Sequence, residues 1–97
     1  MDMIKMQQNT QKVSELLKTM AHPERLMVLC QLTQGEVGVG ELQQRSDLSQ
    51  SAFSQHLTVL RKHGLINARK ESQHVYYSLS DQRISALISN LHQLYCV

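Results

Sequence analysis

Polar residues that form hydrogen bonds recur at helical spacing in the middle of this 97-residue chain. They follow the spacing i, i+3, i+4, i+7 and i+11, and they are Ser51, Ser54, Gln55, Thr58 and Lys62. Such spacing places them on one face of an α-helix, and that face carries no acid. An α-helix fits the major groove of DNA, where hydroxyl and amide groups can pair with base edges. The sequence therefore predicts that Ser51, Ser54 and Gln55 read bases.

Two further groups are predicted to contact DNA phosphates. Gln50 and Ser51 stand at the start of the same helix, where free backbone N–H groups and the positive end of the helix dipole attract anions. A second group flanks a predicted turn and would reach the minor groove or neighbouring phosphates. The strength of these contacts should depend on salt concentration. The members of this group are Arg69, Lys70, Gln73 and His74.

Histidine and basic residues of the same helix have two interpretations each. His56 lies at the border between the polar and apolar faces, so it is either a weak DNA contact or a hydrogen-bonded structural histidine. Arg61, Lys62 and His63 either neutralise phosphate or interact favourably with the negative end of the helix dipole, and the second interpretation is favoured.

The elements that position these residues are indicated by apolar periodicity and by helix-end signals. Val13 to Met20 repeat at helical spacing, Pro23 suits the first residue of a second helix, and Gly35 is placed to end that helix in a left-handed turn. Residues 38–42 open a short third helix. Residues 46–48 form a polar turn, Ser49 caps a fourth helix, and Gly64 ends it.

Strand-forming residues follow the fourth helix. Residues 65–70 and 74–79 predict an antiparallel hairpin, with residues 71–73 between the two strands. The pair Ser80-Asp81 then supplies the N-cap of a final helix. The predicted order is α-α-α-α-β-β-α in one mainly α (α+β) domain, residues 1–97. A short helix, a polar turn, a second helix and a hairpin together form a winged helix-turn-helix.

Composition and charge further limit the classes of function that the chain can have. The chain is 41% hydrophobic and 19% charged, with a formal net charge of only +2. Between residues 42 and 80, however, there are five basic and two acidic residues, which gives this segment a net charge of +3. No GxSxG, HExxH or phosphate-binding glycine loop is present, which excludes common enzyme classes. No segment is long and apolar enough to span a membrane, so we expect a cytoplasmic protein. A winged-helix module that binds protein in place of DNA is the alternative.

The first and last helices carry more apolar surface than one short chain needs. This surplus predicts a homodimer, although ordinary packing within one chain is the alternative. The predicted interface residues are Val13, Leu16, Ile84, Leu87, Ile88, Leu91, Leu94 and Tyr95.

Three segments resemble the ArsR/SmtB family of winged-helix regulators. They are AHPERLMVL (residues 21–29), LSQSAFSQHLTVLRKHGLI (residues 48–66) and VYYSL (residues 75–79). The resemblance implies a dimeric regulator on a pseudo-palindromic double-stranded DNA site. The chain is also similar to the haemolysin-gene activators of the family, which implies activation of toxin and virulence genes by displacement of a nucleoid silencer. A metal-independent repressor of the same family is the alternative.

The chain departs from the metal-binding patterns of that family. The family box ELCVxDL has a cysteine ligand where this chain has Gly38, and the last helix offers single ligands such as Asp81 and His92. Isolated ligands do not make a tetrahedral zinc site. We therefore expect neither a metal nor another cofactor.

The two cysteines, Cys30 and Cys96, resemble those of thiol-responsive members of the family, which have one cysteine on the second helix and one on the last. The resemblance implies that oxidation or persulfide formation joins them. Cys30 also sits on an apolar face, however, where burial would raise its pKa and make it inert.

Overall fold

Five helices and one small sheet form the part of the chain, residues 2–96, that a computed structural model describes. The helices are α1 (Met3–Met20), α2 (Pro23–Gln31), α3 (Val39–Gln44), α4 (Gln50–Lys62) and α5 (Gln82–Tyr95). The strands are β1 (Val37–Gly38), β2 (Ile66–Glu71) and β3 (His74–Leu79). The predicted winged helix-turn-helix is confirmed, with α3 and α4 as its two central helices and the β2–β3 hairpin as its wing.

Local capping signals set most helix ends as predicted. Pro23 is the first residue of α2, Ser49 accepts a hydrogen bond from the Ala52 amide at 3.2 Å, and Asp81 accepts one from the Arg83 amide at 2.7 Å. Gly64, with φ of 78°, lets the chain leave α4. Each signal acts within a few residues of the helix end, so the sequence alone is sufficient to locate it.

The segment between α2 and α3 differs from the prediction in two ways. The α2 helix ends at Gln31 and a one-turn 3₁₀ helix, Leu32–Gln34, follows it, so Gly35 (φ 130°, ψ −169°) ends the 3₁₀ turn and does not form a left-handed cap on α2. A strand that the sequence did not indicate, β1, pairs with Tyr76 and Tyr77 of β3. Two residues are too few for a periodic signal.

The sheet is antiparallel, with the strand order β1-β3-β2. The pairing of β2 with β3 runs from Ile66 opposite Leu79 to Glu71 opposite His74, which leaves only Ser72 and Gln73 in the turn. Glu71 therefore belongs to the strand and not to the predicted three-residue connection. Ser72 has a φ of 56°, as the first position of the tight turn requires.

One apolar core joins all five helices and the sheet. Its most buried large side chains are Phe53, Leu29, Leu42, Leu60, Leu65, Ile66, Ile88 and Val28. Only the end of α1 enters this core, at Met20 and the half-buried Leu16. The earlier turns of α1 project from the domain, which measures 49 × 28 × 22 Å along its principal axes. None of the helices in the described part of the chain has the length and hydropathy needed to cross a membrane.

Candidate nucleic-acid interface

The α4 helix has two chemically distinct sides. Phe53, Leu57 and Leu60 are buried at 1%, 3% and 0% exposure and hold the helix against the core. The residues of the predicted polar face are all exposed, namely Ser51, Ser54, Gln55, Thr58 and Lys62, and so is Gln50 at the start of the helix. Because a helix fixes the angle between its faces, burial of the apolar side presents this polar side to solvent as one surface.

The turn before α4 is held by hydrogen bonds. The Ser46 hydroxyl accepts a hydrogen bond from the Leu48 amide and donates one to the Glu24 carboxylate on α2, both at 3.1 Å. The Gln43 amide group donates to the Leu48 carbonyl at 3.2 Å. These bonds fix the angle at which α4 leaves the turn. Glu24 was not singled out from the sequence, because its partner lies 22 residues away.

His56 packs against α2. Its ring lies 4.3 Å from the His22 ring between centroids, and its Nδ1 is 3.4 Å from an Arg25 guanidinium nitrogen. Arg25 also donates to the Thr19 carbonyl of α1 at 2.6 Å. Burial, followed by the nearby charges of His22 and Arg25, lowers the pKa of His56 below its ordinary value of 6.5. This environment matches the structural interpretation of His56.

The tip of the wing carries two basic residues in different environments. Lys70 is exposed and, within residues 2–96, forms no ion pair. Arg69 instead donates to both Glu36 carboxylate oxygens at 2.7 and 2.9 Å and to Glu71 at 2.7 Å. These hydrogen bonds lower the pKa of Glu36 and raise that of Arg69. Gln73 in the turn and His74, which pairs with Glu71, are both exposed.

The predicted interface residues of the terminal helices divide into three groups. Val13, Leu94 and Tyr95 are 50%, 74% and 73% exposed. Ile84 and Ile88 are buried in the core of the same chain at 7% and 1% exposure, so they are not available to a partner's surface. The remaining residues are half-buried against that core, namely Leu16, Leu87 and Leu91. Leu17, which is 47% exposed on α1, adds to the apolar surface.

The two cysteines lie toward the same end of α5. Cys30 lines a cavity of about 280 Å³ together with Ile88 and His92 of α5. Cys96 follows that helix, and its amide donates to the His92 carbonyl at 2.7 Å. Cys96 is exposed, whereas Cys30 is partly buried, and burial raises the pKa of its thiol. Within residues 2–96, no three His, Cys, Asp or Glu side chains are grouped so that they could hold a metal ion.

A helix with an exposed polar face, a hydrogen-bonded turn before it and a β-hairpin after it define a winged helix-turn-helix DNA-binding protein. Residues 22–68 match the model of the arsR family of bacterial regulatory proteins. The transcriptional activator HlyU of Vibrio cholerae is 51% identical over 99% of this chain and 89% of its own length.

Two further comparisons also match the chain to transcription regulators. A biofilm growth-associated repressor of Agrobacterium fabrum is 42% identical over 94% of this chain and 78% of its own length. The structure of reduced HlyU from Vibrio cholerae matches with a TM-score of 0.90 and 52% identity, over 96% of this chain and 98% of that one. The chain therefore belongs to the ArsR family. It is a DNA-binding transcription regulator and not an enzyme.

The environment of His56 predicts how folding stability depends on pH. Because the pKa of His56 is lower in the folded chain than in the unfolded one, the unfolded chain binds more protons as pH falls below about 6.5. The contribution of His56 to stability is therefore present at higher pH and is lost as pH falls through that window. We expect His56→Gln to flatten the decline in free energy of unfolding between about pH 7 and 5, measured by urea denaturation.

Thr58→Ala is a control for this measurement, because it alters an exposed position of the same helix without removing a titratable group. The free energy of unfolding of Thr58→Ala should decline with pH as that of the unmodified protein does. An equal decline in His56→Gln and the unmodified protein would contradict the assignment.

Proposed function

We propose that the chain binds a pseudo-palindromic DNA site as a homodimer, with α4 of each copy in the major groove and the wing beside it. The observation that carries this proposal is the exposed, acid-free polar face of α4. Ser51, Ser54 and Gln55 supply donors and acceptors for base edges on this face. The buried opposite side keeps the face in place without help from DNA.

Phosphate contacts would surround this base-reading centre. The backbone amides of Gln50 and Ser51 belong to the first turn of α4, where N–H groups have no carbonyl partner within the helix. Lys70 supplies an exposed cation on one face of the wing, while Gln73 in the turn and His74, opposite Glu71 on the other face, are also exposed. The opposite end of α4 adds the exposed Arg61 and Lys62. These groups attract any DNA sequence, so their contribution falls as salt rises.

Base readout and phosphate binding respond differently to mutation. We expect Gln55→Ala to weaken binding to the preferred site roughly tenfold, with little effect on random DNA, because only the preferred site offers the matching base edge. Ser54→Ala should act in the same direction. Affinities would be measured by fluorescence anisotropy on a site selected from randomised DNA and on a scrambled duplex.

Lys70→Gln is the matched control. It should weaken binding to both duplexes equally and reduce the slope of log affinity against log salt by about 0.9 for each phosphate that is no longer neutralised. An equal decrease in affinity for both duplexes in Gln55→Ala would remove Gln55 from base readout. Failure of the unmodified protein to enrich any sequence at low salt would favour a protein-binding module instead.

The exposed apolar residues of the terminal helices support the homodimer. Val13, Leu17, Leu94 and Tyr95 would remain in water in a single chain, whereas a second copy could cover them. A groove between α1 and α5, whose lining includes Val13, Leu16 and Leu87 together with polar groups, is continuous with this surface at Val13. A two-fold axis at these helices would place the two α4 helices on successive turns of one face of DNA, about 10 base pairs apart.

A negative charge in the apolar surface should prevent dimerisation. Leu94→Glu and Val13→Glu each place a carboxylate where a partner would desolvate it, which is unfavourable without a counter-charge. We expect both variants to sediment as monomers and to bind the palindromic site weakly. Gln93→Glu is the control, since it adds the same charge at an exposed neighbouring position. Persistence of the dimer in both variants would refute this interface.

We propose that regulation is by activation of toxin genes through displacement of a nucleoid silencer, with a metal-independent repressor as the alternative. The 51% identity with the Vibrio cholerae activator supports activation, whereas the Agrobacterium fabrum relative is a repressor. Either outcome requires only that α4 occupy a promoter. A protein that binds promoters in a bacterial chromosome would act in the cytoplasm.

A thiol response is a further part of the proposal. The cavity at Cys30 is bordered by His92, whose carbonyl accepts a hydrogen bond from the Cys96 amide, so both cysteines meet the end of α5. Two thiols can lose two protons and two electrons to hydrogen peroxide, which gives one disulfide and two water molecules. Such a link would join α2 to α5 and change how the two α4 helices are spaced.

Oxidation can be tested by mass spectrometry. After mild peroxide treatment we expect a peptide pair that joins Cys30 to Cys96, together with weaker binding to the palindromic site. Cys30→Ser and Cys96→Ser should bind DNA equally before and after peroxide. Two unmodified thiols, or a link that leaves binding unchanged, would contradict the switch.

A further inference from the structure

Arg69, Tyr76 and Gly38 form one row across the three-stranded sheet. Tyr76 of β3 lies opposite Arg69 of β2 on one side and opposite Gly38 of β1 on the other. A Cβ atom at Gly38 would lie 3.5 Å from the Tyr76 ring, an ordinary van der Waals contact, so the ring lies directly beside this glycine. The Arg69 guanidinium then lies 4.8 Å from the centre of the same ring, which suits a cation–π contact.

The guanidinium of Arg69 reaches beyond the Tyr76 ring to Glu36, just before β1. All three of its nitrogens donate to carboxylates: Nε and Nη2 to the two oxygens of Glu36, and Nη1 to Glu71. We name Arg69, Glu36, Glu71 and Tyr76 the wing clamp. It connects the outer strand β2 to the segment that leads into α3, across the strand between them.

Backbone pairing alone ties the wing weakly to the rest of the domain on this side. The β1 strand contributes only two residues to the sheet, and an isolated two-stranded hairpin is marginally stable. A bidentate pair between a planar guanidinium and a carboxylate adds a directional restraint that a flexible ammonium cannot reproduce. The wing clamp therefore restrains the angle between the wing and the helix-turn-helix.

The distribution of charge on the two faces of the wing also supports a structural role for the wing clamp. Side chains alternate along a strand, so Lys70 lies on the face opposite to Arg69 and Glu71. In the wing clamp, two carboxylates surround one guanidinium, which gives the cluster a net negative charge. His74, opposite Glu71, lies on this same face. Phosphate would be repelled from the Arg69 face and attracted to the exposed ammonium of Lys70.

We propose that Arg69 is a positioning residue that holds the wing for DNA binding through Glu36, and that Lys70 makes the phosphate contact. This inference rests on the proposed DNA-binding function and refines it. It replaces the interpretation of Arg69 as a direct DNA contact. Glu36 becomes a residue that supports DNA binding although it is an acid.

The decisive experiment compares Arg69→Lys, Glu36→Gln and the double variant with the unmodified protein on the selected DNA site. We expect each single variant to weaken binding roughly two- to fivefold, and the double variant to be no weaker than either single one, because both substitutions break the same pair. The salt dependence of binding should stay unchanged in all three. Hydrogen exchange of the wing amides should accelerate in the same variants.

Two controls separate positioning from simple electrostatics. Glu41→Gln breaks another exposed pair, with Arg45, and removes the same negative charge away from the wing. It should leave binding unchanged or slightly tighter, in contrast to Glu36→Gln. Lys70→Gln should lower the salt slope by about 1.8 per dimer, as expected for one phosphate contact on each wing.

The opposite results would overturn the inference. Full affinity in Arg69→Lys, or tighter binding in Glu36→Gln, would mean that the positive charge of Arg69 acts on DNA directly. Arg69→Gln, which removes the charge, should leave the salt slope unchanged, and a reduced slope in this variant would mean the same. Absence of DNA binding by the unmodified protein would instead refute the proposed function, and this outcome is distinguishable because it does not depend on any wing variant.

Discussion

Burial of one side of α4 is the constraint on which the rest of the molecule depends. Phe53, Leu57 and Leu60 are almost fully excluded from water, and each fully buried side chain of this kind contributes about 1.5–3 kcal/mol. The same burial decides which side chains of α4 remain outside. Recognition chemistry and folding are therefore coupled through the geometry of a single helix, because residues on opposite faces cannot exchange roles.

Polar contacts around α4 add to the hydrophobic burial that holds this helix in place. Glu24 holds the turn before the helix through Ser46, and Arg25 bridges the end of α1 and His56. These contacts are made by residues of α2, although α2 contributes no residue to the exposed polar surface of α4. The second helix thus holds α4 in place, and the wing clamp restrains the hairpin in a similar way.

The distribution of apolar surface distinguishes the core from the proposed dimer interface. Ile84 and Ile88 of α5 face the core of their own chain, whereas Leu94 and Tyr95 near the end of the same helix are exposed. The α5 helix therefore packs against the domain as far as Leu91, and only its last turn is exposed. The projecting turns of α1 follow the same pattern, because only Leu16 and later residues meet the core.

The sequence by itself determined most of the helix ends, the presence of the hairpin and the polar face of α4. Pro23, Ser49, Gly64 and Asp81 act on backbone groups within a few residues, so their effect does not depend on the rest of the fold. Tertiary structure alone decided the pairing of Arg69 with Glu36, 33 residues apart, and of His56 with Arg25, 31 residues apart. It also decided the two-residue strand β1 and the burial of Ile84 and Ile88. Each of these depends on which elements pack side by side, and a periodic pattern shows that a face is apolar without showing what covers it.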